Sequence, residues 1–352
     1  MLSDLIQRTV SAIHPAGSLE LAQTIQGRLD NLTKPQGSLG RLEQLALRYG
    51  LARGVAPLNL QRKSMYVFCA DHGIVAEGVS AYPADVTVQM VRNFVRGGAA
   101  INVLCRQFGI ETAVVDMGVN GPAEPGAHNC KIAHGTRNWL REPAMTFDQA
   151  TQSVETGIKL ATEAAQTADV LGVGEMGIGN TSTAAALFSA FSGLDPTLTV
   201  GRGTGVTGDV LLRKADVVRQ ALRLHAPHAG DPIGVLAAIG GFEIGGMCGF
   251  LLGAAAHRVP VMLDGFITGA AVLVAQALSP HLRDYLFFSH LSAESGHGRM
   301  IEFLKAEPLL SLQMRLGEGT GAALGINLLE ASVRIYTEMA TFSEASVSRR
   351  PE

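Results

Sequence analysis

Residues 316–323 read Leu-Gly-Glu-Gly-Thr-Gly-Ala-Ala and set one carboxylate, Glu318, between glycines just ahead of an apolar run. Glycine on either side opens backbone conformations closed to other residues and lets a ligand approach the main chain, while Thr320 is placed to cap the helix that follows. A lone acid in that frame reads as a group placed for a ligand. A second acid, Glu175, stands in Gly174-Glu175-Met176-Gly177-Ile178-Gly179-Asn180-Thr181-Ser182-Thr183, which runs into the alanine-rich segment 184–187. Glycines and hydroxyls at the mouth of a helix present backbone N–H groups and the positive end of its dipole, the chemistry of a phosphate site. The stretch Gly201-Arg202-Gly203-Thr204-Gly205-Val206-Thr207-Gly208-Asp209 has the same composition and is followed by Lys214, a cation for a phosphate monoester. Neither stretch carries the Gly-Lys-Ser/Thr of a P-loop or a GxGxxG dinucleotide fingerprint, so a small sugar phosphate fits better than a nucleoside triphosphate. Both acids also admit a structural reading: Glu318 as part of a helix cap, Glu175 as the organiser of its own turn.

The elements that must position these residues follow from the hydrophobic pattern. Leu5, Val10, Leu21, Ile25, Leu29, Leu42, Leu45 and Leu47 recur at helical spacing, which predicts short helices over residues 3–50. Short buried strands are then predicted at 65–70, 112–117, 169–173, 259–263 and 285–289, each followed by a polar or glycine-rich turn and a helical segment. From about Thr320 the pattern returns to helix. Alternation of this kind predicts an α/β fold, a doubly wound and mainly parallel sheet with helices on both faces. Asp71-His72, Asp116, Glu175, Asp264 and His290 all follow predicted strands, and ligands of open α/β sheets bind outside the strands' carboxyl ends. These turns are therefore expected to converge on one crevice.

Composition removes several classes. The chain has 352 residues, 47% hydrophobic and 17% charged, with a net charge of -3 that offers no field for nucleic acid or an anionic membrane surface. The amino-terminal segment is amphipathic without a signal core, which predicts a cytoplasmic location. The apolar stretches 244–256 and 265–278 fall short of the ~20 residues of a membrane span and read instead as glycine- and alanine-rich core helices with closely packed backbones. Cys69, Cys105, Cys130 and Cys248 are dispersed, without a CxxC pair, and read as reduced and mostly buried. His225, His228, His290 and His297 lack partners at zinc-ligand spacing and read as solvated or core residues; no metal is expected. His72 beside Asp71 is open to a turn-stabilising or a catalytic reading. Ser292 and Ser295 lack the strand-turn-helix context of a nucleophile elbow.

Taken together, the motifs resemble the nicotinate-nucleotide:dimethylbenzimidazole phosphoribosyltransferase family, which builds the lower ligand of cobalamin. The resemblance spans nearly the whole chain and rests on residues 33–40 (Thr-Lys-Pro-Gln-Gly-Ser-Leu-Gly), 70–73 (Ala-Asp-His-Gly), 80–83 (Ser-Ala-Tyr-Pro) with Val86-Thr87, and the Glu175 stretch. Gly203-Thr204-Gly205, Gly240-Gly241-Phe242-Glu243-Ile244, Leu263-Asp264-Gly265-Phe266, Ser289-His290 with Glu294, and Gly317-Glu318-Gly319-Thr320-Gly321 continue it. It implies a large Rossmann-like domain over 55–315, a small helical domain from 1–54 and 316–352, and a homodimer. The implied reaction moves the 5-phosphoribosyl group of β-nicotinate mononucleotide to a ring nitrogen of 5,6-dimethylbenzimidazole, releasing nicotinate and forming α-ribazole 5'-phosphate. Glu318 falls on the family's general base, and Glu175 is the second acid at the site. The aromatic base is expected against Pro83, Gln89, Met176 and Leu316, and the phosphate and ribose against Gly177, Asn180, Thr181, Gly203, Lys214 and Ser292. No cofactor is implied. Two other classes stay open, a non-catalytic nucleotide-binding sensor and an NAD-dependent oxidoreductase, although the missing GxGxxG speaks against the second.

Overall fold

The computed structural model describes residues 2–203, 205 and 208–348. One sheet of six parallel strands organises the chain: β1 (Lys63–Ala70), β2 (Glu111–Gly118), β3 (His128–Asn129), β4 (Val170–Met176), β5 (Val261–Leu263) and β6 (Leu286–Phe288). Their order, β3-β2-β1-β4-β5-β6, reverses direction between β1 and β4. At such a reversal the following connections leave to opposite faces and open a crevice at the strands' carboxyl ends.

Five strands coincide with the predicted apolar runs. The sixth, β3, is two exposed residues at the sheet edge and has no apolar pattern to betray it. β4 runs further than predicted, with Glu175 paired opposite Phe68 and Met176 opposite Cys69, so Glu175 belongs to the strand rather than to the turn beyond it. Gly172 and Gly174 weaken the strand signal, yet Gly174 is required: a Cβ there would collide with the backbone of Glu318 and Gly319.

β1 shows how the sheet divides the interior. Its side chains alternate, Met65, Val67 and Cys69 entering one apolar core and Phe68 and Ala70 the other. On the second side lie helices Phe147–Ala164, Asn180–Ser192, Phe242–Ala256 and Phe266–Leu278, with Asp4–Ser11 packed outside them. On the first side lie Leu19–Asn31, Arg41–Arg53, Ala100–Phe108 and Thr320–Glu338. Ile326 and Leu329 of the last helix share their core with Met65 of β1, Met262 of β5 and Tyr49. The expected close backbone packing is found between Phe147–Ala164 and Phe242–Ala256, where a Cβ on Gly157 would collide with the carbonyl of Gly246. No described helix is long and apolar enough to cross a membrane.

Candidate active site

The carboxyl ends of β4 and β5, the turn after β6, the helix Asp85–Val95 and the segment before Thr320 enclose a cleft of about 440 Å³. Its most unusual backbone is at Gly317, Glu318 and Gly319, which take φ of 83°, 65° and 92° in succession. A non-glycine residue in the left-handed region costs about 1–3 kcal/mol and persists only where its surroundings hold it. Asp264, immediately after β5, does the holding. Its Oδ1 accepts the N–H groups of Gly321 (2.7 Å) and Ala322 (3.3 Å), and its Oδ2 accepts that of Gly319 (3.1 Å). The cap expected of Thr320 is therefore supplied by Asp264 from the end of β5, a strand on which this helix packs. The Thr320 hydroxyl donates back to the Gly317 carbonyl at 2.8 Å, because the left-handed turn puts that oxygen, not an unpaired N–H, beside it.

This turn delivers Glu318 into the cleft, 7% exposed and with Oε2 lacking a hydrogen-bond partner among the described residues. Burial pushes the Glu318 carboxyl up to about 7, and the charge of Asp264 adds to the rise; the N–H of Ile101, in the first turn of Ala100–Phe108, acts in the opposite sense. Glu175 lies across the turn from it. A Cβ at Gly317 would stand 2.5 Å from Glu175 Oε1, so glycine at 317 lets the two acids approach. Burial raises Glu175 to about 8, with Asp264, Glu243 and Glu318 adding repulsion, while the Asn180 side-chain amide donates to Oε2 and offsets part of the rise.

Beside Glu175 the cleft wall carries the start of a helix and two glycine-rich stretches. Helix Asn180–Ser192 starts there after Gly179, and Asn180 and Thr181 line the wall beside Gly177. Beneath them Lys214, 1% exposed, donates to Thr181 Oγ1 at 2.7 Å and to the Gly201 carbonyl at 3.2 Å. Lys214 thus ties together the two glycine-rich stretches, which are separate in the chain but adjacent here. Burial draws its ammonium down to about 8, and Glu294 partly restores it. The Glu294 carboxylate accepts the N–H of Gly203 at 3.0 Å from each oxygen. Thr204, Val206 and Thr207 lie outside the described residues.

Of the residues singled out from sequence, Glu318, Glu175, Met176, Leu316, Gly177, Asn180, Thr181, Gly203 and Ser292 line this one cleft. Lys214 sits one layer behind it. Pro83 and Gln89 are exposed and do not line it; helix Asp85–Val95 instead turns Val86 and Met90 to the cleft, with Tyr82 at the rim. Asp264, His290 and Glu294 are lining residues that sequence reasoning recorded only as turn or motif positions. The place of Asp264 and His290 directly after β5 and near the end of β6 was the available signal. His290, read as a solvated or core histidine, is buried yet faces the cleft, its Nε2 3.6 Å from Asp264 Oδ1. His297 is a core residue, accepting the Ser292 N–H at 2.9 Å and lowered to about 4 by burial. His72 forms a buried pair with Glu243 (2.7 Å) and a hydrogen bond with Thr183 (3.0 Å) beneath the Gly177 turn. All four cysteines are free.

Comparison with known proteins places this geometry. The profile of a family described as phosphoribosyltransferase matches residues 15–347. The nicotinate-nucleotide–dimethylbenzimidazole phosphoribosyltransferase of Geobacter sulfurreducens is 50% identical over 347 residues, covering 98% of each chain. The enzyme of the same name from Chlorobaculum tepidum is 47% identical over 350 residues, 99% of each chain. The crystal structure of CobT from Thermus thermophilus superposes with a TM-score of 0.89 at 46% identity, covering 94% of this chain and 100% of that one. Full-length agreement of sequence and fold at this level makes the chain a member of the nicotinate-nucleotide–dimethylbenzimidazole phosphoribosyltransferase family of enzymes.

Proposed function

We propose that the protein transfers the 5-phosphoribosyl group of β-nicotinate mononucleotide to 5,6-dimethylbenzimidazole, giving α-ribazole 5'-phosphate and nicotinate, with Glu318 as general base. The observation that carries this is the Glu318 carboxylate, buried in the cleft with Oε2 unpartnered among the described residues, in the same cleft as the helix start at Asn180 and Thr181 with Lys214 behind it. One benzimidazole nitrogen attacks the anomeric carbon, and the bond to the pyridinium nitrogen breaks with its electron pair going to nicotinate. The other ring nitrogen then carries an acidic N–H, whose proton passes to Glu318. A carboxylate that hydrogen-bonds this N–H binds more tightly as positive charge grows on the ring, so it stabilises the transition state over the ground state.

The division of labour between the acids follows from their surroundings. Burial raises both carboxyls, but Glu175 is tied to the Asn180 amide whereas Glu318 Oε2 lacks a hydrogen-bond partner among the described residues, which leaves Glu318 free to take the base's role. Glu175 then orients the acceptor ring or steadies charge at the sugar carbon. The ribose and phosphate lie against Gly177, Asn180, Thr181, Gly203 and Ser292 with Lys214 behind, and the acceptor ring against Met176 and Leu316 together with Val86 and Met90. A cytoplasmic homodimer belongs to the same reading, as do Pro83 and Gln89 as base-side residues.

Incubation with nicotinate mononucleotide and dimethylbenzimidazole, with nicotinate followed by chromatography, tests the reaction; absence of turnover rules it out. Glu318→Ala is expected to lower kcat by at least ~10²-fold while nicotinate mononucleotide still binds. Equal loss of both would make Glu318 a structural residue.

A further inference from the structure

We propose that Asp264 is a positioning residue for the transfer reaction: from the end of β5 it holds the 317–319 turn so that Glu318 faces the acceptor. The inference rests on the assignment of Glu318 as the base. Three backbone N–H groups, those of Gly319, Gly321 and Ala322, converge on the Asp264 carboxylate, and all three follow Glu318 within four residues. No other side chain among the described residues accepts these three groups, so Asp264 holds the far side of the left-handed turn while Thr320 closes its near side on the Gly317 carbonyl. At Gly321 a Cβ would stand 2.8 Å from Asp264 Oδ1 and would collide with His290. His290, 3% exposed and with Nδ1 unpartnered among the described residues, backs the carboxylate at 3.6 Å.

The charge of Asp264 has a second effect. The charged and titratable groups that share the cleft with Glu318 are Tyr82 ahead of the helix Asp85–Val95, Asp264 after β5, Glu175 on β4, His290 and Glu294 after β6, and Arg315 on its own segment; the amino end of Ala100–Phe108 adds its N–H. After burial, the repulsion of Asp264 raises Glu318, and it raises Glu175 as well; Glu175 and Glu318 also repel each other. Repulsion between carboxylates disfavours ionisation and makes the base stronger once ionised.

The test compares Asp264→Asn, Asp264→Glu and Glu318→Gln in the full-length protein with nicotinate mononucleotide and dimethylbenzimidazole, measuring kcat, KM and the pH dependence of kcat/KM. For Asp264→Asn, kcat should fall by ~10²-fold, the cost of roughly 1 Å misplacement of a catalytic group, with KM for nicotinate mononucleotide little changed. The acid limb of its profile should move to lower pH, because the repulsion that raised Glu318 is gone. Asp264→Glu keeps the charge and moves the acceptor by a methylene, so its limb should stay while kcat falls. Wild-type kcat, or a limb that does not move in Asp264→Asn, overturns the proposal. Should Asp264→Asn fail to fold, Asp264→Glu decides, wild-type kcat overturning the proposal and reduced kcat with an unmoved limb supporting it. Wild-type turnover by Glu318→Gln would instead overturn the base assignment itself.

Discussion

At the scale of single residues, the site works by placing carboxylates where water cannot stabilise their charge. Burial is the first cause of the rise at both Glu318 and Glu175, and mutual repulsion among acids comes after it. Since the ionised form of Glu318 accepts the proton, kcat/KM should rise with pH through about 7 and flatten above it, a profile readable from initial rates across pH. Glu175 has a consequence for stability whose sign can be worked out. Its folded value of about 8 lies above the ordinary 4.5, so the native state holds the proton more tightly than the unfolded chain does. That contribution favours folding below 4.5 and is lost as pH rises to about 8. Glu175→Gln, which cannot ionise, should therefore gain thermal stability relative to the wild type as pH rises through this window. Calorimetry at several pH values checks it, and a Tm difference that is flat with pH would contradict it.

At the scale of elements, glycine decides how closely backbones meet, and the sequence displays this without naming the partners. The glycines of Phe242–Ala256 announce a close contact, but only the packed helices show that Gly157 meets the carbonyl of Gly246. A backbone oxygen cannot swing away as a side chain can. Gly157→Ala should thus destabilise by about 3 kcal/mol despite alanine's better helix propensity, seen as a lower denaturant midpoint with an unchanged slope. The same logic governs the two glycines that blur the strand pattern of β4: the missing Cβ of Gly174 admits the Glu318 turn, and that of Gly172 admits Met65 and Ile326 in the core. Lys214 and Asp264 illustrate the complementary failure. Each was visible as a residue, but the one joins two turns and the other caps a helix begun over fifty residues later, and neither relation has a spacing in sequence.

At the scale of the whole molecule, the proposed division into 55–315 and the two terminal segments meets a shared interior. Ile25, Leu29 and Tyr49 from the first segment and Ile326 and Leu329 from the second pack with Met65 and Val67 of β1. A smaller unit built this way cannot unfold without uncovering a face of the sheet, so both should melt together. Trp139, the only tryptophan, is fully buried on the opposite side of the sheet. Its fluorescence and the far-UV circular dichroism should therefore trace one coincident transition. For a homodimer the midpoint should also rise with protein concentration. Earlier loss of helical signal would instead show the terminal segments unfolding on their own.

The sequence by itself determined the fold class, because an apolar period switching between strand and helix leaves few architectures able to bury both faces of a sheet. It also determined the chemical vocabulary of the site: an acid between glycines, a second acid, two glycine- and hydroxyl-rich turns and a lysine. Tertiary structure alone decided their grammar. The strand order that opens the crevice, the left-handed turn held by Asp264, the depth that raises Glu318 and Glu175, and the union of the two turns on Lys214 arise from contacts between residues tens to hundreds of positions apart. Burial and through-space repulsion depend on what surrounds a group in three dimensions, and no local pattern records that.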